Sequence, residues 1–216
     1  MHIQAVLFDL DGTLADTAPD LGAALNYTRQ TQGKPALAAE LIRPMASHGA
    51  RGLLELGFGI NPEDAEFVAL RDTLLDYYAD HVCKGTTLFA GINELIAALA
   101  QKGITWGIIT NKPERFTQAL VAQLPWATPP ACVVSGDTCG KAKPDPAPML
   151  YACAQIGVPA QSCLYVGDAE RDIQAGNAVG MQSIIAGWGY ISDADKPDTW
   201  NAAAHIQHPM DLLVFL

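Results

Sequence analysis

Five short apolar runs punctuate this chain, at residues 4–10, 104–110, 131–135, 163–167 and 182–186. Stretches with helical periodicity lie between them. The clearest spans 91–102, where Ile92, Leu95, Ile96 and Leu99 recur at the spacing of one apolar helical face. Residues 113–124, 145–156 and 169–179 follow in the same rhythm, the first with proline at its opening position. Repeated alternation of strand and helix predicts an α/β fold with a parallel sheet covered on both faces. Ligands of such sheets bind beyond the carboxyl ends of the strands. The residues that follow each apolar run are therefore the ones to read for chemistry.

One interval breaks the rhythm. Residues 16–85 show helical patterns and no strand, with Phe67, Leu70, Leu74, Tyr77 and Tyr78 on one face of a helix expected over 62–82. Seventy residues are too many for a loop in a compact domain. The interval reads as a helical cap subdomain, residues 16–85, inserted into a core made of 1–15 and 86–216.

The first apolar run ends in Asp9-Leu10-Asp11-Gly12-Thr13. Carboxylates offset by two point the same way only while a strand continues. Here Gly12 breaks the strand at once, so both can converge on one small volume. Two such groups repel unless a cation or a proton intervenes. That suits Mg²⁺ and acid/base chemistry. Asp-Gly after a strand is also an ordinary turn pair, and the whole pentad is what favours the chemical reading.

Three later strand ends carry complementary groups. Thr110 and Asn111 stand before a helix N-terminus, where N–H groups and the helix dipole favour a phosphate; both are equally ordinary helix caps. Lys143 precedes Pro144 and is held extended, so its ammonium can neutralise a phosphoryl group. Lys141 is the alternative, and either can be a solvated loop lysine. Gly167-Asp168 ends the fourth run, and Asp172 lies one helical turn beyond Asp168. Asp168 can reach the same metal as Asp9, and Asp172 can orient Lys143 or a metal-bound water.

Together these segments resemble the haloacid dehalogenase (HAD) superfamily of phosphatases, in that family's order and along nearly the whole chain. The resemblance implies a Rossmann-like core with a helical cap. It implies a mechanism in which Asp9 attacks phosphorus and forms an aspartyl-phosphate. Asp11 then serves as general acid and general base. Mg²⁺ would be held by Asp9, the Asp11 carbonyl and Asp168. Thr110, Asn111 and Lys143 would bind the phosphoryl group and stabilise its charge, with Asp172 behind them. Dehalogenases of the superfamily usually lack the second aspartate, so Asp11 points to phosphoryl chemistry.

Within the superfamily the chain resembles the phosphoglycolate phosphatase group and, more closely, bacterial N-acetylmuramic acid 6-phosphate phosphatases. The segments concerned are Asp16-Thr17-Ala18-Pro19-Asp20, Gly49-Ala50-Arg51, Asn111-Lys112-Pro113, and Gly189-Tyr190-Ile191 with Pro197 and Trp200. Leu88-Phe89-Ala90-Gly91 departs from them, since relatives usually have proline before that glycine. In the cap, Ser47 is expected to cap the helix that carries Leu53 and Leu54. Arg51 would pair with a substrate carboxylate or similar group or else form a surface salt bridge. His48 stands beside it.

A net charge of −10 argues against nucleic acid as a partner. Any phosphate site must be made positive locally. No apolar run approaches the ~20 residues that span a bilayer, and no signal peptide is recognised. The five cysteines include no C-x-x-C pair, and Cys132, Cys153 and Cys163 lie in apolar segments. A reducing cytoplasm is the expected location, and a small phosphorylated metabolite the expected partner. Two other functions remain compatible with parts of the pattern. A phosphomutase shares every core motif. A phospho-accepting receiver gathers similar groups, but it is shorter and lacks both the insertion and the pentad.

Overall fold

Eight strands occur in chain order in the computed structural model, which describes residues 2–216. They are β1 (Ala5–Phe8), β2 (Ala15–Asp16), β3 (Thr87–Leu88), β4 (Thr105–Ile109), β5 (Val133–Val134), β6 (Cys163–Gly167), β7 (Gln182–Ala186) and β8 (Ala204–Ile206). Six of them form one sheet in the order β5-β4-β1-β6-β7-β8. Every pairing within it is parallel. Phe8 pairs with Ile108 on one side and Val166 on the other, which puts the three central strand ends at one level. All residues of β1 and β6 are buried. That explains their unbroken apolar composition, because a strand covered on both faces has no side to leave polar.

The chain divides into two compact units, residues 2–15 with Leu88–Leu216, and Asp16–Thr87. The first holds the six-stranded sheet and the helices Ile92–Gln101, Glu114–Val121, Ala147–Ile156 and Glu170–Ala178. Ile92, Leu95, Ile96 and Leu99 are the buried residues of the first of these helices. After β1 the chain adds β4 and β5 on one side, then returns to add β6, β7 and β8 on the other. The strand order therefore reverses between β1 and β6, and the crevice beyond their carboxyl ends is where ligands of open parallel sheets bind.

The second unit contains the helices Ala18–Thr31, Gly49–Phe58 and Phe67–Asp80. Leu21, Leu25, Leu53, Leu54, Phe67, Leu70, Leu74 and Tyr78 are buried. Arg29 is buried too, and donates to the carbonyls of Gly57 and Pro35. Asp16 accepts two hydrogen bonds from Arg43, at 2.9 and 2.8 Å. Asp20 accepts from the Gly85 and Thr86 N–H groups and the Thr86 hydroxyl, so the two ends of this unit are tied to each other.

Some elements differ from expectation, each for a local reason. β5 has only two residues, because the Ser135 N–H is taken by Thr138 Oγ1 and the chain turns there. The helix expected over 113–124 runs from Glu114 to Val121 with Pro113 as its cap. Ser47 does not cap the next helix. It lies inside a 3-10 turn, Arg43–His48, and the cap position falls to His48 with no side-chain cap bond. Tyr77 is only half-buried, and stacks between Tyr27 and His81 with ring centroids 4.3 and 4.0 Å away. β8 was not expected, since three residues with His205 exposed carry no apolar pattern.

Candidate active site

The carboxyl ends of β1, β4 and β6 and the loop after β5 each bring one or more polar side chains to the same place. Asp9 follows β1 directly. Its Oδ1 accepts from the Leu10 N–H at 2.8 Å and from Lys143 Nζ at 2.8 Å. Gly12 then turns the chain with φ +83°, where L side chains rarely go. A Cβ there would also collide with the Asp168 carboxylate and the Tyr190 ring. Glycine is needed twice over, once for the backbone and once for space.

Asp168 follows β6 and is buried. Its Oδ1 accepts from the Thr13 hydroxyl at 3.1 Å and its Oδ2 from the Tyr190 N–H at 2.9 Å. Asp172 is fully buried one turn into the next helix. One of its oxygens takes the Ala169 N–H at the helix start, at 3.1 Å, and the other takes Lys143 Nζ at 2.7 Å. Asp9, Asp168 and Asp172 each offer a carboxylate oxygen within 4.8 Å of the others.

Lys143 is the cation at the centre. Its side chain is fully buried, and its ammonium also lies 2.8 Å from the Ile109 carbonyl and 2.8 Å from the Tyr165 hydroxyl. Lys141 is solvent-exposed, 3.9 Å from Asp145, so the loop turns only one of the two lysines inward. Asn111 holds that loop. Its amide accepts from the Lys143 N–H and donates to the Lys143 carbonyl, both at 2.8 Å. Thr110 is buried at the end of β4, with Oγ1 accepting from the Lys112 N–H at 3.1 Å.

Asp11 does not join the carboxylate cluster. It forms an ion pair with Lys112 at 2.8 Å, with both side chains largely buried. His48 and Arg51 belong to the other unit and are exposed, at the end of a 3-10 turn and in the first turn of the following helix. The sequence reading missed Lys112 and Tyr165. Lys112 appeared only within the Asn111-Lys112-Pro113 segment, with no role of its own. Tyr165 looked like any aromatic residue in an apolar strand.

Three buried carboxylates stand against the Lys143 ammonium and the nearby Arg171 guanidinium, so carboxylates outnumber cations in the cluster. Burial pushes the Asp9 carboxyl up to about 6; Lys143 opposes this, and Asp172 adds to it. Burial, then repulsion from Asp9 and Asp172, pushes Asp168 up to about 7. Further positive charge would favour the ionised form of both carboxyl groups at neutral pH. A hard divalent cation with oxygen ligands supplies it, and the donor set fits Mg²⁺. Both Asp172 oxygens are engaged, by Lys143 and the Ala169 N–H, as both Asp168 oxygens are by the Thr13 hydroxyl and the Tyr190 N–H.

The family model for haloacid dehalogenase-like hydrolases matches residues 6–186. The chain belongs to this family. Among its HAD relatives is the N-acetylmuramic acid 6-phosphate phosphatase of Pseudomonas aeruginosa, 38% identical over 99% of this chain and 94% of the relative. The phosphoglycolate phosphatase of Xanthomonas campestris is 41% identical over 97% of this chain and 94% of its own. In fold, the chain is similar to a predicted phosphoglycolate phosphatase from Haemophilus somnus, with a TM-score of 0.86 at 23% identity over 100% and 98% of the two chains. A haloacid dehalogenase-like family hydrolase from Streptococcus pneumoniae gives 0.80 at 22% identity, over 99% and 98%.

Proposed function

We propose that this HAD hydrolase is a Mg²⁺-dependent phosphomonoester hydrolase that works through an aspartyl-phosphate on Asp9. The observation that carries the reading is the convergence of Asp9, Thr110, Lys143 and Asp168 at the carboxyl edge of one parallel sheet, with Asp11 on the turn beside them. Lys143 and the Leu10 N–H hold Oδ1 of Asp9, and Oδ2 accepts no hydrogen bond from the described residues. That oxygen is the nucleophile. It forms a bond to phosphorus as the ester oxygen leaves with a proton from Asp11. A water then attacks the acyl phosphate, giving its proton back to Asp11, and inorganic phosphate and the Asp9 carboxylate are regenerated. The Thr110 hydroxyl and the second amide hydrogen of Asn111 bind phosphoryl oxygens. Lys143 balances the charge at Asp9 throughout. Mg²⁺, when held by Asp9, Asp168 and the Asp11 carbonyl, supplies positive charge to the phosphoryl oxygens.

For substrate we infer a small phosphomonoester whose alcohol part carries a carboxylate. Phosphoglycolate and N-acetylmuramic acid 6-phosphate, the compounds for which the two relatives are named, share that group. Arg51, with His48 beside it, is the proposed reader of that anion from the helical unit, which we take to act as a cap. No helix among the described residues is long and apolar enough to cross a membrane. All five cysteines are free thiols, which suits the reducing cytoplasm where we place the protein.

The test is phosphate release with Mg²⁺ across a panel containing both compounds, neutral sugar monophosphates and p-nitrophenyl phosphate. Preference for the carboxylate-bearing esters is the expected result. Conversion of a sugar monophosphate to an isomer without phosphate release would make the protein a mutase. No turnover of any ester would remove the proposal.

A further inference from the structure

The steps above give Lys112 no task, yet its placement is tightly built. Its N–H donates to Thr110 Oγ1 at 3.1 Å. Its carbonyl accepts from the Gly136 N–H at 2.9 Å and the Thr117 hydroxyl at 3.1 Å. The far end of the side chain lies 2.8 Å from Asp11 Oδ1, with side-chain exposures of 7% and 14% for the two residues. Asp11 itself sits on a turn closed by Gly12 N–H to Ala15 O at 3.0 Å and by Leu14 and Ala15 N–H to Leu10 O at 3.0 and 2.9 Å. Two hydrogen-bonded backbone segments are thus joined through one lysine and one carboxyl group.

A pair of this kind is a poor device for stability, because removing two charges from water offsets most of their attraction. It is a good device for orientation. The terminal torsion of an aspartate is broad, whereas proton transfer needs the carboxyl oxygen within roughly 2.6–3.2 Å of the reacting oxygen. We propose that Lys112 is a positioning residue for Asp11. It fixes the carboxyl group by Oδ1, so that the proton is delivered to the ester oxygen as the bond to phosphorus breaks. This rests on the reading of Asp11 as proton donor. The ammonium also stabilises the carboxylate that the transfer leaves behind.

The experiment compares kcat/KM for an alkyl ester, 2-phosphoglycolate, and an aryl ester, p-nitrophenyl phosphate. The ratio kcat/KM reports the first bond cleavage. Alkoxide departure requires a proton, while p-nitrophenolate leaves without one. Misplacing a catalytic group by about 1 Å costs on the order of 10²-fold. Lys112→Met should therefore lose roughly 10- to 100-fold on the alkyl ester and no more than about threefold on the aryl ester. Lys112→Arg should recover most of the alkyl rate, and Lys112→Gln replaces the methionine variant if that one does not fold.

Asp11→Asn is the reference and should show the same split, more severely. If it does and the Lys112 variants lose equally on both esters, or on neither, the role of Lys112 falls while that of Asp11 stands. If the wild type hydrolyses neither ester, or Asp11→Asn shows no split, the reading of Asp11 falls and takes this inference with it.

Discussion

Replacing Lys143 by methionine keeps the length of the stem and removes the charge. In the native protein the ammonium touches four acceptors, Asp9 Oδ1, Asp172 Oδ1, the Ile109 carbonyl and the Tyr165 hydroxyl, at 2.7–2.8 Å. It has three hydrogens to share among them. The variant leaves two buried carboxylates facing an apolar thioether. Removing one partner of a buried pair costs about 3–5 kcal/mol. For a chain of this size each kcal/mol lowers Tm by roughly 2–4 °C, so a fall of about 6–20 °C is expected for the metal-free variant at pH 7.5. The penalty is electrostatic and should shrink with acid. Asp9 already has its carboxyl raised to about 6. Without the ammonium it rises further, and once protonated it has no uncompensated charge. Thermal unfolding with excess chelator at pH 7.5 and 5.5 tests this. A fall under about 2 °C would refute the ion-pair argument. So would an equal fall at both pH values, which would mean that packing, and not charge, was lost. Adding Asp172→Asn to the variant should recover part of the loss, because it removes one of the stranded charges.

Four further outcomes are expected. Asp9→Asn abolishes phosphate release with an unchanged circular dichroism spectrum; turnover by the folded variant would remove Asp9 as nucleophile. Chelator abolishes activity and Mg²⁺ restores it, whereas Ca²⁺ restores little because it prefers looser, higher coordination; full activity in excess chelator would exclude the metal. In the metal-free wild type, Asp9 and Asp168 bind protons more tightly folded than unfolded, with folded values of about 6 and about 7. Their contribution therefore favours the folded state below about pH 4 and is lost as pH rises towards about 7; a metal-free Tm that rises from pH 5.5 to 7.5 would contradict it. Arg51→Ala should cut kcat/KM for a carboxylate-bearing ester by about 10- to 150-fold, the worth of one charge-assisted hydrogen bond, and leave p-nitrophenyl phosphate nearly unchanged. Equal losses on both substrates would assign Arg51 to something other than reading the anion.

The sheet was legible because its central strands are buried on both faces and so are largely apolar, as β1 and β6 show. β8 was not legible, since a three-residue edge strand needs no pattern beyond its hydrogen bonds to β7. The carboxylates at strand ends stood out because charge at the end of a buried strand is costly unless used. What the sequence left open was which of these groups would be buried and paired. Pro144 favours Lys143 over Lys141, but nothing in the sequence shows that Lys143 is buried against Asp9 and Asp172 while Lys141 is exposed near Asp145. The difference lies in the path of the loop, which Asn111 holds from 32 residues away. Tyr165 is a similar case. A tyrosine in an apolar strand is usually core, and its hydroxyl acquires a role only because Ile109 O and Lys143 meet it there.

Charge decides how such a site handles an anion on a protein with net charge −10. Lys143 and Lys112, the lysines that reach the strand ends, are already matched to Asp9, Asp172 and Asp11. With Asp168 included, four carboxylates face two ammonium groups. Arg171 adds one charge; burial works against it, but Asp172, Asp9 and Asp168 outweigh burial and hold the guanidinium charged. The metal-free site is therefore still negative, and a phosphate dianion would enter against the field of both the site and the whole molecule. A divalent cation reverses the sign locally. On the proposed mechanism, a cation held there would do more than polarise the phosphoryl group: it would also make phosphate binding favourable. The buried, mutually repelling pair Asp9 and Asp168, which weakens the metal-free fold near neutral pH, is what gives the cation its hold.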